Sequence, residues 1–146
     1  MHFHFGSDHR GYAAKLELIE YVSSLGYECT DHGCFGSESC DYPDFGAAAA
    51  RAVAGSGGPS TGIVICGSGV GIAIPANKVD GARCVVAWCE HVAEYGRRHN
   101  NANMLAFGGD VQTTLQMKRC LDAYLGAEFE GGRHERRVGK INALDG

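Results

Sequence analysis

Residues 62–78 read Gly-Ile-Val-Ile-Cys-Gly-Ser-Gly-Val-Gly-Ile-Ala-Ile-Pro-Ala-Asn-Lys, and no other stretch restricts the possible folds as much. Ile63, Val64 and Ile65 form a β-branched apolar run bounded by glycine, which reads as a buried strand of a parallel sheet. Cys66 stands where that strand ends, and Gly67, Ser68, Gly69 and Gly71 follow, ahead of a small-residue segment suited to a helix. Strand, glycine turn and helix in that order aim backbone N–H groups at an anion. Open α/β sheets bind their ligands at this end of the strands. The stretch therefore offers a thiol beside a nest of amide donors.

Three readings of the nest compete. A Walker phosphate loop fails, because Lys78 is not set behind a glycine and Val79 is neither Ser nor Thr. A dinucleotide fingerprint is met in part: Gly67, Gly69 and Gly71 give G-x-G-x-G with Ile72 next, and Glu90 follows the next strand as an acidic ribose ligand would. The third reading makes the nest a site for an anion formed during a reaction, with Cys66 as the proton-transfer group. Against these stands a plain tight turn holding a buried, inert cysteine.

The chain has 146 residues, enough for one domain with its own core, 1–146. Its net charge of -4 and mixed charges give no broad basic surface for nucleic acid. The apolar runs are too short to span a bilayer, and the opening Met1-His2-Phe3-His4-Phe5 lacks the pattern of a signal peptide. Seven cysteines, an odd number, predict free thiols in a reducing compartment, the cytoplasm. Cys29, His32, Cys34 and Cys40 lie close in sequence, but without a paired C-x-x-C they give a weak signal for zinc, and no metal is expected.

Strands are expected at 2–6, 27–30, 63–65, 83–87 and 104–107. Between them fall helices at 12–25, 43–54, 90–99 and 113–125, a small-residue segment after the glycine turn, and a last helix at 135–144. Gly26 and Gly126 end two helices, and Pro43 opens one. Strands alternating with helices predict a five-stranded parallel sheet covered on both faces, a Rossmann-like three-layer α/β/α sandwich. The polar groups behind the strands are expected at one edge of it: Asp8 and His9, Cys66 with its glycines, and the end of the fourth helix.

Asp8-His9 behind the first strand reads either as a turn device or as a carboxylate and an imidazole in a site. His99 and Asn100 suit a helix C-terminus, and Arg133 and Arg137, four apart, suit a phosphate clamp if helical. Together the parts fit a sugar phosphate. Aldose–ketose isomerisation needs a base near the carbon, donors for an enediolate oxygen, a group to open the ring and an anchor for the phosphate. Amide dipoles favour a thiolate, which can act as that base.

Six motifs carry a resemblance that runs nearly end to end. They are Gly6-Ser7-Asp8-His9, Cys40-Asp41-Tyr42-Pro43-Asp44, Ile65-Cys66-Gly67-Ser68-Gly69-Val70-Gly71, Ala76-Asn77-Lys78, Arg98-His99-Asn100, and Gly131-Gly132-Arg133-His134 with Arg137. In combination they resemble the sugar-phosphate isomerase family that holds ribose-5-phosphate isomerase B with allose-6-phosphate and galactose-6-phosphate isomerases. The resemblance implies a metal-free, cofactor-free isomerase of ribose and ribulose 5-phosphates, working as a homodimer, or a tetramer built from it, with sites at the interface. By that likeness Cys66 is the base, Ser68 and the amides of Gly67, Gly69 and Gly71 hold the enediolate, and His99 of the partner copy opens the ring. Asp8, Tyr42 and Asn100 then contact sugar oxygens, and His9, Arg133 and Arg137 hold the phosphate. Asp110 departs from the family, which often has Arg there to bind phosphate; it either faces away, is compensated by Arg10, or marks another sugar as substrate.

Overall fold

In the computed structural model, which describes residues 1–146, alternation along the opening strand β1 (His2–Ser7) divides the molecule into layers. Phe3 and Phe5 are fully buried on one side of it, while His2 and His4 share the other. The remaining elements follow as α1 (Tyr12–Ser24), β2 (Glu28–Asp31), α2 (Tyr42–Ala54), β3 (Ser60–Cys66), α3 (Val70–Asn77), β4 (Cys84–Val86), α4 (Glu90–Asn100), β5 (Met104–Gly108), α5 (Thr114–Leu125) and α6 (Arg133–Asn142). The strands pair in parallel in the order β2-β1-β3-β5-β4. This is the expected three-layer sandwich, with element ends displaced by one to three residues.

Odd positions of the central strands build one core and even positions the other. Phe3, Phe5, Ile63, Ile65, Leu105 and Phe107 pack with Leu18 and Val22 of α1 and Met117 and Leu121 of α5. Burying one such side chain contributes about 1.5–3 kcal/mol. On the other face Val64, Cys66, Met104 and Ala106 meet Ala49, Ala50 and Val53 of α2 and Ile72, Ala73 and Ala76 of α3. The alanines let α2 and α3 lie close to the sheet, which brings the start of each helix near the end of β3.

β1 sends the chain to β2 on one side, and β3 lies against its other side. The connections behind β1 and β3 therefore diverge, and an open sheet has its crevice at such a switch point. Two local devices hold the loop next to it. Lys15 of α1 has no exposed side-chain surface; its Nζ donates to Asp31 Oδ1 at 2.7 Å and to the carbonyl of Cys34. The rings of Tyr12 and Phe35 flank it at 5.4 Å. Behind the strands, Thr113 caps α5 through a reciprocal bond with Gln116.

A buried ammonium removed from its carboxylate leaves that carboxylate without its cation, at a cost of about 3 kcal/mol. Lys15→Ala should lower the unfolding free energy by about this much, read as an earlier midpoint in urea with an unchanged slope. The histidine face gives a second expectation. His4 Nδ1 and His32 Nε2 share one hydrogen bond of 3.0 Å, so one ring donates and the other accepts. Burial, reinforced by the neighbouring His2 and His32, lowers the pKa of His4 from 6.5 to about 4. The unfolded chain thus takes up this proton first, so the contribution is complete above the unfolded value of 6.5 and fades as the pH falls towards about 4. The melting temperature should drop across that window, and His4→Gln should flatten the drop.

Candidate active site

A cleft of about 380 Å³ opens at the switch point, lined by Asp8, Arg10, Tyr42, Cys66, Gly67, Ser68, Gly71, Asp110 and Val111. Its residues come from the turns behind β1 and β5, from the end of β3 and the turn into α3, and from the first position of α2. Asp8 is 5% exposed, and its Oδ1 accepts the amides of Arg10 at 2.9 Å and Gly11 at 3.1 Å. Asp8 is thus a turn device and a cleft residue at once, because one carboxylate oxygen ties the turn and the other takes no protein donor. His9 faces the adjoining loop, where its Nδ1 accepts the amide of Cys40 at 3.3 Å.

Cys66 ends β3 and is 4% exposed, yet it lines the cleft. Its Sγ accepts the amide N–H of Gly69 at 3.2 Å. That contact needs the chain to fold back within three residues. Gly69 has φ 82°, in the left-handed region, and a Cβ there would lie 2.9 Å from the carbonyl carbon of Phe107. Gly71 leaves room for the Tyr42 ring, since a Cβ on it would meet Tyr42 ring carbons at 3.0–3.3 Å. The amides of Gly67 and Ser68 donate to no acceptor within the protein. Ser68 is exposed, and its Oγ accepts the amide of Val70 at 3.3 Å. A sulfur, two free amides and a hydroxyl thus converge at the N-terminal end of α3, the arrangement that stabilises negative charge on a small ligand.

The other expected site residues lie elsewhere in the chain, which corrects the single-edge expectation. A helix that leaves the carboxyl end of one parallel strand must return to the amino end of the next. His99 and Asn100 at the end of α4 therefore precede β5, whereas Gly108 at its far end pairs with Cys66. The strand alone separates the two ends by about 13 Å. Asn100 lines a larger cleft of about 540 Å³ with Asn77, Lys78, Arg83 and Asp145. α6 begins at Arg133, two residues earlier than expected, so exposed Arg133 and Arg137 are one turn apart beside His99 and not beside Cys66.

That second cluster has its own organisation. The rings of His99 and His134 stack with centroids 4.3 Å apart and planes 7° apart. Glu130 Oε1 lies 3.7 Å from His99 Nε2 and 3.8 Å from His134 Nε2, while Oε2 accepts Arg98 Nε at 2.7 Å. Burial, with His99 and Arg133 nearby, lowers the pKa of His134, and the Arg98 hydrogen bond lowers that of Glu130. These three groups carry the one close set of metal-ligating atoms in the chain. Parallel, stacked rings do not aim their lone pairs at one point, and Arg98 holds the carboxylate, so the set is poorly arranged to chelate. Glu130 was missed as a site feature, since nothing in a single sequence links it to Arg98 except their flanking motifs, whereas the Arg10–Asp110 pair was one of the alternatives raised for Asp110. All seven cysteines are free.

The dinucleotide reading does not survive the sheet order. Glu90 opens α4 behind β4, and β5 lies between β4 and β3. Two strand spacings, about 10 Å, keep Glu90 from a ribose seated at the glycine turn.

Comparison with known proteins agrees with this fold. The family model described as Ribose/Galactose Isomerase matches residues 3–141. Ribose-5-phosphate isomerase B of Escherichia coli strain K12 is 45% identical over 141 residues, covering 97% of this chain and 94% of that protein. The structure of Clostridium thermocellum ribose-5-phosphate isomerase B superposes with a TM-score of 0.95 at 46% identity, covering 99% of this chain and 97% of the other. That of the Mycoplasma genitalium enzyme with bound ribulose-5-phosphate has a TM-score of 0.93 at 35% identity, covering 97% and 94%. The chain belongs to the ribose/galactose isomerase family.

Proposed function

We propose that the chain interconverts D-ribose 5-phosphate and D-ribulose 5-phosphate, an intramolecular oxidoreduction through an enediolate. The observation that carries it is the Cys66 sulfur, 3.2 Å from the Gly69 nitrogen, beside the free amides of Gly67 and Ser68 in the switch-point cleft. Near-full-length likeness to ribose-5-phosphate isomerase B supports the same reading. Cys66 as thiolate takes the proton from C2 of the open aldose, and the C2–H electron pair moves into the carbon skeleton. The charge that develops on O1 is met by the glycine amides. The thiol then returns the proton to C1, while the O2 hydroxyl passes its own proton to O1 and becomes the carbonyl. Electrons stay within the sugar, so the reading requires no cofactor. Asp8 and Tyr42 line the same cleft and suit the sugar hydroxyls.

The separation of the two clusters favours a homodimer with shared sites. His99, Asn100, Arg133 and Arg137 are too far from the Cys66 cleft to serve it within one copy, but a second copy can bring its own set there. In that arrangement His99 opens the furanose ring, Asn100 contacts the sugar, and His9 with the two arginines holds the phosphate. Exposed Val70 and Ile74, one turn apart on α3, and exposed Val111 give the cleft an apolar rim of the kind a partner covers. Free thiols support a reducing compartment such as the cytoplasm; no helix is long and apolar enough to cross a membrane.

Cys66→Ala should reduce kcat on ribose 5-phosphate by at least about 10³-fold while sugar-phosphate binding, read by calorimetry, is largely kept. Retained turnover would remove Cys66 as the base. His99→Asn should be nearly inactive on the cyclic sugar by itself. After the two inactive variants are unfolded and refolded together in equal amounts, about one quarter of wild-type activity should return, because half the dimers are mixed and each holds one intact site. No recovery, with mixed dimers confirmed by mass, would exclude sites shared between copies. Comparing kcat/KM for ribose, allose and galactose phosphates would fix the preferred sugar.

A further inference from the structure

We propose that Arg10 is a ligand for the anionic substrate in the Cys66 cleft and that Asp110 is the residue that positions it. The inference rests on the isomerase reading and adds to it a specificity device built by this chain. Arg10 Nη1 donates to Asp110 Oδ2 at 2.7 Å, joining the turn behind β1 to the turn behind β5. Both side chains are half-exposed or more, and an ion pair so open to water adds little to stability. The pair lies directly on the amide nest. A Cβ on Gly67 would sit 2.9 Å from Asp110 Oδ2 and 3.1 Å from Arg10 Cδ. Arg10 is therefore held over the first free amide of the nest.

The charges around the cleft give this position its meaning. Arg10 is the one cation among the nine residues that line it, facing the carboxylates of Asp8 and Asp110. Without that guanidinium, the charged side chains that this chain itself gives the cleft would all carry the sign of a sugar phosphate or its enediolate. Asp110 occupies Nη1, and no protein acceptor takes Nε or Nη2 of Arg10. The guanidinium is planar, so fixing one edge of the fork orients the remaining N–H groups. The backbone is fixed as well, because the Arg10 amide donates to Asp8 Oδ1 at 2.9 Å. Asp110, which on its own would repel the substrate, instead holds the cation that attracts it. Of the three alternatives for Asp110 raised by the sequence, the structure contains the second: it faces the cleft and is compensated by Arg10.

Steady-state kinetics on ribose 5-phosphate, with inorganic phosphate as competitive probe, tests this. Arg10→Ala should raise KM and the phosphate inhibition constant about tenfold or more, with the loss falling on KM and not on kcat. Arg10→Lys, which keeps the charge without the fork, should recover part of it. In the Arg10→Ala background Asp110 is left as a bare carboxylate, so adding Asp110→Asn should lower KM again several-fold. A merely structural role for the pair would not give that reversal. A KM for Arg10→Ala within twofold of wild type, or a double variant no better than the single one, overturns the inference while leaving an active wild type and the isomerase reading intact. A wild type that turns over no sugar phosphate overturns both.

Discussion

One hydrogen bond organises the carboxyl edge of this sheet, that from the Gly69 amide to the Cys66 sulfur. It needs a turn so short that the chain passes through the left-handed region at Gly69 and lies against the backbone of Phe107. The turn in turn needs β5 beside β3, where Gly109 donates to the Cys66 carbonyl at 2.8 Å and Asp110 to the Gly67 carbonyl at 2.9 Å. The sulfur, the nest and the far wall of the cleft are thus one cooperative piece of backbone. In the proposed reaction, chemistry there would draw on main-chain dipoles that the fold has already oriented, leaving little reorganisation to the reacting groups.

The same parallel topology explains why the chain carries the second cluster of polar residues at the other edge. Each helix returns the chain by the length of a strand, and the end of α4 is carried away from the cleft with His99 and Asn100. α6 then packs its first turn there, stacking His134 on His99 and bringing Arg133 and Arg137 alongside. Glu130 fastens this second cluster to α4 through Arg98, which also pairs with Glu94 at 3.0 Å. Each cluster is ordered by contacts within its own chain, which suits surfaces that meet as preformed halves.

Much of this was legible in the sequence for identifiable reasons. Buried parallel strands read as short β-branched runs, and glycines or Pro43 mark where helices stop and start, so all five strands and the helix order were recoverable. The thiol–glycine nest was legible because its turn has a backbone geometry that only a few residue types allow. What could not be read were contacts between distant segments. Nothing in the segment around Lys15 marks it as buried, yet Asp31 and the Cys34 carbonyl draw it fully inside. Glu90 fitted a ribose ligand until the sheet order set β5 between it and the glycine turn. Arg10 and Asp110 are a hundred positions apart, so their pairing could be raised only as one of three alternatives until the juxtaposition of two turns selected it. The end of the fourth helix was grouped with the strand ends because the direction of the returning helix was not followed; only the family resemblance set His99 apart, as a residue of the partner copy.

The strand order also bears on how the molecule assembles during synthesis. β5 is the last strand made, yet it sits between β3 and β4, so β4 has no neighbour of its own until β5 inserts. Pairings of this kind join residues far apart along the chain and form late, after costly loop closure. A nascent chain that has emerged only as far as β4 therefore has a three-stranded sheet with the β3 edge unpaired and its thiol unsheltered. Such an open edge invites association with other chains. Asp110 and Val111 follow β5, so the wall that they give the cleft is added only when the sheet is complete.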